Sequence, residues 1–318
     1  MNDLKEFIKI ASDEEGIDLI GFAKARNFTE FEKFYNKKIE NDYLPDVGSI
    51  RDVKKRLNVF DVMPQAKTII AVGVSYNKKI DKHKNEAIKG IISHHVFKTD
   101  YHDIMHEKMH NLIEKIKEKA GNNYKFQCYC DSGVLDDRIA AYLAGIGFFG
   151  KNNFIINEKY GSYIFLGHIL TDINIRPDTS AQNLCGDCRE CIDICPSGAL
   201  MDSYCLNSKK CISNLTQKKT LSDDEQQAMD RHIYGCNICQ QVCRFNIDAP
   251  VRSSQSFSAD IEDIYVDCDD IINMGKDRFK EKYEKTAMYW RGYDIIKRNA
   301  EAVKQNILRN NYGGNYEG

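Results

Sequence analysis

The stretch Cys185-Gly-Asp-Cys188-Arg-Glu-Cys191-Ile-Asp-Ile-Cys195-Pro-Ser-Gly-Ala-Leu200 places four cysteines within eleven positions, with a proline after the last. A cubane iron–sulfur cluster needs three thiolates on one tight loop, and cysteines at two-residue intervals supply them. In two-cluster ferredoxins the fourth cysteine of such a run faces away and ligates the other cluster. The run therefore predicts a second set, and Cys211, Cys236, Cys239 and Cys243 supply it. The crossed pattern assigns Cys185, Cys188, Cys191 and Cys243 to cluster I, and Cys195, Cys211, Cys236 and Cys239 to cluster II. Paired zinc sites also use C-x2-C, but do not ordinarily set three cysteines at successive two-residue gaps before a fourth followed by proline. One departure is Arg244, where ferredoxin repeats usually carry proline after the last cysteine. Cys128, Cys130, Cys205 and Cys268 are left over and read as small hydrophobes or ordinary thiols.

Around this run the chain is ordinary in composition. Its 318 residues are 42% hydrophobic and 29% charged with a formal net charge of −2, the profile of a soluble globular protein of two domains and a short appendage. Global charge gives no reason to expect nucleic acid, so such a partner must be met by a local basic surface. No apolar run is long enough to span a membrane. The opening "MNDLKEFIKIASDEEG" mixes acids and lysines in an amphipathic pattern, which reads as a helix and not an export signal. The expected compartment is the cytoplasm, where twelve cysteines point to metal and not to disulfides.

The first half reads as α/β. Leu4, Phe7, Ile8 and Ala11 fall at helical spacing, and "IDLIGFAKA" from Ile17 reads as a strand. "FTEFEKFYNKKIEND" is helical, and "KTIIAVGVSY" from Lys67 is an apolar strand for a buried sheet. A long helix covers "YHDIMHEKMHNLIEKIKEKAG", stopped at Gly121. A strand "YKFQCYC" and a helix from about Leu135 follow, then an expected strand pair over "NFIINEKYGSYIFLGHILTD" turning near Gly161. The polar "INIRPDTSAQN" marks a boundary before the cysteines. The resulting units are 1–175, 176–250 and 251–318, the last helical, with a Gly-Asn tail that frays.

The informative stretch of the first unit is "CDSGVLDDRIAAYLAGIGFFGKNNF". Gly145, Gly147 and Gly150 fit G-x-G-x-x-G, but a helix precedes them where dinucleotide binding needs a strand. The glycines still let a planar ligand approach the backbone closely. Asp131 sits at a strand end before a Ser-Gly turn, where a catalytic carboxylate and a capping aspartate are both expected, the cap on local grounds first. Asp136 and Asp137 read as first-turn acids of the next helix. His102, His106 and His110 share a helix face; with no acid completing an H-E-x-x-H pattern, a solvated histidine face is the expected reading. Asp100-Tyr101-His102 approaches the D-x-H-x-x-G cobalt-ligand pattern, but Met105 stands at the glycine, so no histidine ligand to cobalt is expected.

Several pieces in order carry a resemblance: "DYH" at 100–102, "DSGVLDDR" at 131–138, "AGIGFFGKN" at 144–152, "YGSYIFLG" at 160–167, the cysteine run, "CISNLT" from Cys211 and "GCNICQQVC" from Gly235. From about residue 15 to 310 the chain resembles the epoxyqueuosine reductases, which finish queuosine at the wobble position of tRNA and are related to the reductive dehalogenases. The resemblance implies an α/β (α+β) N-terminal cobalamin-binding domain, a two-cluster ferredoxin-like domain and a C-terminal helical segment. It implies cobalamin and two [4Fe–4S] clusters as cofactors. The implied substrate is a tRNA anticodon stem-loop carrying epoxyqueuosine. The implied electron source is a low-potential donor such as flavodoxin or ferredoxin.

On this resemblance Asp131 becomes the general acid, which requires a carboxyl pKa raised by burial against the corrin. Tyr101 and His102 take supporting roles, and Arg56, Asp131, Lys151, Ser213 and Gln240 become cobalamin contacts. Departures from the family are Val134 in place of proline and His168 in place of an acid. "YWRGYDIIKRNAEAVKQNILRNN" resembles the first helical repeat of the family, with its "RNA" element at Arg298–Ala300 and little after it. Residues 274–318 hold ten Lys/Arg against six Asp/Glu, a basic balance suited to phosphate or to a solvated helix face. Two other readings share the cysteines: a corrinoid reductase of another substrate, dehalogenase-like in mechanism, and a ferredoxin-type carrier without chemistry of its own.

Overall fold

A computed structural model describes residues 2–45, 53–77, 88–96, 99–251 and 264–313 of the chain; the Gly-Asn tail beyond 313 lies outside them. The first unit begins with α1 (Asn2–Glu14), β1 (Leu19–Lys24), α2 (Glu32–Glu40), α3 (Val53–Leu57), α4 (Val59–Val62), β2 (Thr68–Ser75) and β3 (Lys89–Ile92). It continues through α5 (Tyr101–Ala120), β4 (Phe126–Tyr129), α6 (Asp137–Leu143), β5 (Phe148–Phe149), β6 (Ile155–Ile156) and β7 (Ile164–Thr171). Four strands form one antiparallel sheet in the order β1-β2-β7-β4.

Alternation along β2 explains why the sheet has no wet face. Ile70, Val72 and Val74 point into a core shared with Ile8 of α1 and with Met105, Met109, Leu112 and Ile116 of α5. Ile69 and Ala71 point into a second core with Tyr35, Leu57, Val59 and Ile139. Successive side chains of a strand leave on opposite faces, so an unbroken apolar strand needs cover on both. Helices supply that cover here over antiparallel strands, an arrangement commoner with parallel ones.

The expected strand pair turning at Gly161 is not formed. Ile155–Ile156 pairs with Phe148–Phe149, while β7 crosses to lie between β2 and β4. Only the bridge Asn157↔Gly161 joins the two. The cause is a tertiary demand on the turn. Gly161 has φ +62°, and a Cβ there would lie 2.0 Å from Asn246 Oδ1, so the chain turns against the cysteine-bearing segment instead of closing a hairpin.

That segment is built of short pieces, including helices Glu190–Asp193, Ile212–Leu215, Ile238–Gln241 and Arg244–Ile247. It is latched to the first unit by a buried polar knot. Asn246 Oδ1 accepts the Ser162 N–H at 2.6 Å, and Gln240 Nε2 donates to Ser162 O at 3.1 Å. A second sheet, with β3 at its centre, pairs parallel with His232–Tyr234 and antiparallel with Tyr265–Asp267. It therefore takes one strand from each successive portion of the chain. Its core includes Ile92, Ile233, Phe279, Ile296 and Val303, so the C-terminal helix Tyr293–Gly313 is integral to the body. Asn299 of the "RNA" element is fully buried and donates to Thr216 O at 2.7 Å and Ile233 O at 2.9 Å. Among the described residues, no helix is long and apolar enough to cross a membrane.

Candidate active site and cysteine centres

β4 delivers the chain to Asp131 at φ +53°, a left-handed conformation that aspartate tolerates better than most side chains. Its N–H donates to Asp137 Oδ2 at 2.8 Å. Asp137 and Asp136 open α6, and Asp136 is its N-cap. Asp137 is more than a first-turn acid, because its Oδ1 also holds the fully buried His168 at 2.5 Å. Asp136 is held by Arg138 at 2.9 Å and Arg56 at 3.5 Å and accepts the Tyr35 hydroxyl. Burial works against the Asp136 carboxylate, but the two guanidiniums keep it well below the usual carboxylate range.

From the other side α5 starts at Tyr101, capped by Asp100. The Tyr101 hydroxyl donates to Asp131 Oδ2 at 2.9 Å, and its ring stacks on Phe165 at 4.2 Å with 2° between planes. His102 places Nδ1 2.7 Å from Asp100 Oδ1 and Nε2 3.5 Å from Asp131 Oδ2. Burial disfavours the imidazolium, yet the bonds to Asp100 and Asp131 outweigh it and push the His102 pKa up to about 9. The His102 bond, helped by that of Tyr101, draws the Asp131 pKa below its ordinary value against the effect of burial.

Without a corrin against it, the Asp131 carboxyl is thus drawn down by its partners, and the His102 imidazole it faces is the group pushed up. The Asp131 side chain is 71% exposed, and the space it faces is a cavity of about 610 Å³. A second cavity of about 400 Å³ shares Arg56, His95, Tyr101, Asp131 and Ser213 with the first.

Arg56 and Ser213 thus stand on the walls where a large ligand would lie. Arg56 Nε and Asn214 Nδ2 are buried without a partner among the described residues, so these cavity-lining side chains hold donors in reserve. Gln240 lines the second cavity, but its amide is committed to Ser162 and Asn237; it shapes the wall. Lys151 is elsewhere: its ammonium donates to Cys188 O at 2.8 Å, and it lines the cleft of the first cysteine set. The close approaches of Gly145, Gly147 and Gly150 are likewise to the chain itself. A Cβ on Gly145 would meet Thr179 O at 2.4 Å, and one on Gly147 would meet Ile156 O at 2.5 Å.

Two cavity residues were not foreseen. His95 is half-buried and desolvation pushes its pKa down to about 4, so a neutral imidazole lines both cavities. Trp290, the only tryptophan, is 56% exposed and donates from Nε1 to Tyr234 at 3.0 Å. The sequence signals were a His-His pair after an apolar run and a lone tryptophan among tyrosines, neither specific.

The clustered cysteines lie close enough to act on one another. Beyond burial, Cys191 is raised by Cys185, Cys243 and Cys188, Cys236 by Cys211 and Cys195, and Cys239 by Cys211, Cys236, Cys191 and Cys195. Cys185, Cys188, Cys191 and Cys243 line one small cleft. Cys211 and Cys236 reach the walls of the Asp131 cavities. Crowded thiols that raise one another's pKa are relieved by a cation that takes them as thiolates, which fits metal–sulfur ligation.

Residues 184–246 match the family model of the 4Fe-4S double cluster binding domain, and residues 56–132 match that of epoxyqueuosine reductase QueG, DUF1730. An epoxyqueuosine reductase of Bacillus cereus is 34% identical over 301 residues, 93% of this chain and 79% of that protein. The crystal structure of an epoxyqueuosine reductase with an epoxyqueuosine-modified tRNA-Tyr stem loop matches with a TM-score of 0.89 at 31% identity, covering 95% of this chain and 81% of that one. A Bacillus subtilis epoxyqueuosine reductase, described with its catalytic aspartate loop swung out of the active site, matches with the same TM-score of 0.89 at 31% identity, over 95% and 81%.

Proposed function

The chain belongs to the epoxyqueuosine reductase family, and from that premise we propose that it reduces the epoxide of epoxyqueuosine in a tRNA anticodon stem-loop to queuosine. The net change consumes two electrons and two protons, breaks both C–O bonds of the epoxide, and yields an alkene and water. The observation that carries the reading is Asp131. It faces a large cavity, bonded to Tyr101 and His102, with Cys211 on the same wall.

The cavity walls suit cobalamin. Ser213, Asn214, Gln217 and Arg56 offer hydroxyl, amide and guanidinium groups suited to acceptors such as corrin carboxamides, and Arg56 Nε and Asn214 Nδ2 have no partner among the described residues. Arg56 and Ser213 would hold the cofactor, Gln240 would shape the wall, and Lys151 would belong to the first cluster. Bound cobalamin supplies nucleophilic cobalt chemistry, fed by [4Fe–4S] clusters on Cys185, Cys188, Cys191 and Cys243 and on Cys195, Cys211, Cys236 and Cys239.

The remaining work falls to the protein. Asp131 presents a proton to the departing epoxide oxygen, and His102 replenishes it from a pKa of about 9. Tyr101 and Asp137 hold the Asp131 carboxylate and backbone in place. Protonation is needed because an alkoxide leaves poorly from a desolvated site. Residues 1–175 would carry the corrin, 176–250 the clusters and 251–318 contacts to RNA. An external low-potential carrier, a flavodoxin or ferredoxin, would supply electrons. The test is nucleoside mass spectrometry of epoxyqueuosine-bearing tRNA after incubation with anaerobically reconstituted protein and reductant. Queuosine should appear; protein loaded with both cofactors that leaves the epoxide intact overturns the reading.

A further inference from the structure

Only His102 of the three helix histidines is drawn into the site above. His106 and His110 point instead at Cys128 on β4. His106 Nδ1 lies 3.9 Å from Cys128 Sγ and His110 Nε2 lies 3.7 Å from it; all three ligand atoms fall within 4.8 Å of one another. We propose that His106, His110 and Cys128 form a metal site of the zinc class, separate from the iron–sulfur centres, that staples α5 to β4.

The separations suit the chemistry. Zinc–nitrogen bonds of about 2.0–2.1 Å and a zinc–sulfur bond of about 2.3 Å at tetrahedral angles put N and S about 3.6 Å apart. The observed distances exceed this by a few tenths of an ångström, a gap that side-chain torsions close. The scaffold is fixed on both sides. His106 and His110 are one helical turn apart, and their rings lie 6.2 Å apart at 30°. Cys128 is held in register opposite Ile169 of the sheet's inner strand β7. Two imidazoles and a thiol select zinc or a similar borderline-soft ion over magnesium or calcium, which require oxygen. His110 is exposed while His106 and Cys128 are half-buried, so the ion has an entry path and its fourth position faces water.

The sequence signal was only a histidine face. The thiol comes from a strand that the fold brings beside it, and it replaces the acid whose absence argued against a metal. The site spans α5, which bears Tyr101 and His102, and β4, which leads to Asp131, so an ion there would hold those elements together without touching the reacting groups.

The experiment uses the full chain with its iron–sulfur clusters assembled, equilibrated with Zn2+ alone and desalted. Metal analysis and zinc-edge X-ray absorption should find one zinc per chain above the iron complement, with one sulfur and two imidazoles in its shell. Cys128→Ser should raise the zinc dissociation constant more than about 100-fold, since even outer-shell partners of a ligand are worth about 10–100-fold, with iron content unchanged. His110→Gln, at an exposed position, should do the same with the thermal unfolding of the zinc-free protein unchanged. Failure of the cluster-loaded protein to retain zinc, or zinc in an all-sulfur shell indifferent to both substitutions, overturns the proposal.

Discussion

Asp137 holds Asp131 by its backbone: Asp137 Oδ2 accepts the Asp131 N–H at 2.8 Å, while Asp137 Oδ1 holds His168 at 2.5 Å. One buried carboxylate thus fixes the left-handed turn that aims the candidate acid into the cavity. Asp137→Ala leaves the Asp131 N–H and the His168 ring nitrogen without this acceptor, at about 1–3 kcal/mol each. Chemical denaturation should show that loss of stability, and turnover should fall even where the folded fraction is restored by lower temperature.

Asp131→Asn removes the carboxylate but keeps its size. Turnover of epoxyqueuosine tRNA should be lost, while iron content and bound corrin remain at wild-type levels. Tyr101→Phe keeps the stack on Phe165 and loses only the bond to Asp131. A hydrogen bond to a charged group is worth about 1.5–3 kcal/mol, so the single-turnover rate should fall by roughly 10- to 100-fold. Full activity in Asp131→Asn would remove this residue from the mechanism.

The pH dependence follows from His102. Its pKa in the folded protein is about 9, above its ordinary value. The stabilisation from its pairs with Asp100 and Asp131 is therefore complete below pH about 6.5 and is lost as pH rises through about 9. The same proton supplies Asp131, so the single-turnover rate should fall across that alkaline limb. His102→Gln should abolish the limb and slow the reaction by about 10²- to 10⁴-fold, the usual worth of a positioned acid. A rate flat through pH 9 in the wild type contradicts the role.

The crossed cysteine assignment predicts a pattern in double variants. Cys185→Ser with Cys243→Ser should cost one cluster, because both residues would serve the same one. Cys185→Ser with Cys195→Ser should cost both. Iron analysis with electron paramagnetic resonance of the reduced protein distinguishes these outcomes, and equal iron loss in the two doubles refutes the crossing.

Gly161→Ala tests the latch between the first unit and the cysteine-bearing segment. The new Cβ would lie 2.0 Å from Asn246 Oδ1 at a φ of +62°. The left-handed backbone alone costs about 1–3 kcal/mol for a non-glycine residue, and displacing Asn246 breaks its bond to Ser162 as well. Thermal unfolding should move down by several degrees, with cluster occupancy falling alongside.

The chain's own letters settled what depends on local spacing. Two-residue cysteine gaps can serve few purposes other than a cubane, so a double-cluster segment was legible before any fold was known. The unbroken apolar run of β2 likewise announced a doubly covered strand, and Gly121 announced the end of α5. Partnerships between distant segments were not legible. Local sequence gave Asp136 and Asp137 the bland role of helix-start acids, and only packing against β7 and α3 set them on His168 and Arg56. Nor was it legible that α5 would bring His102 and Tyr101 to the Asp131 carboxyl, where their bonds draw its pKa down. Cys128 looked inert until a strand laid it beside two histidines. Spacing along the chain determines which atoms can share one loop; the energies of charges and hydrogen bonds depend on through-space distances of a few ångströms, and those exist only once the chain has folded.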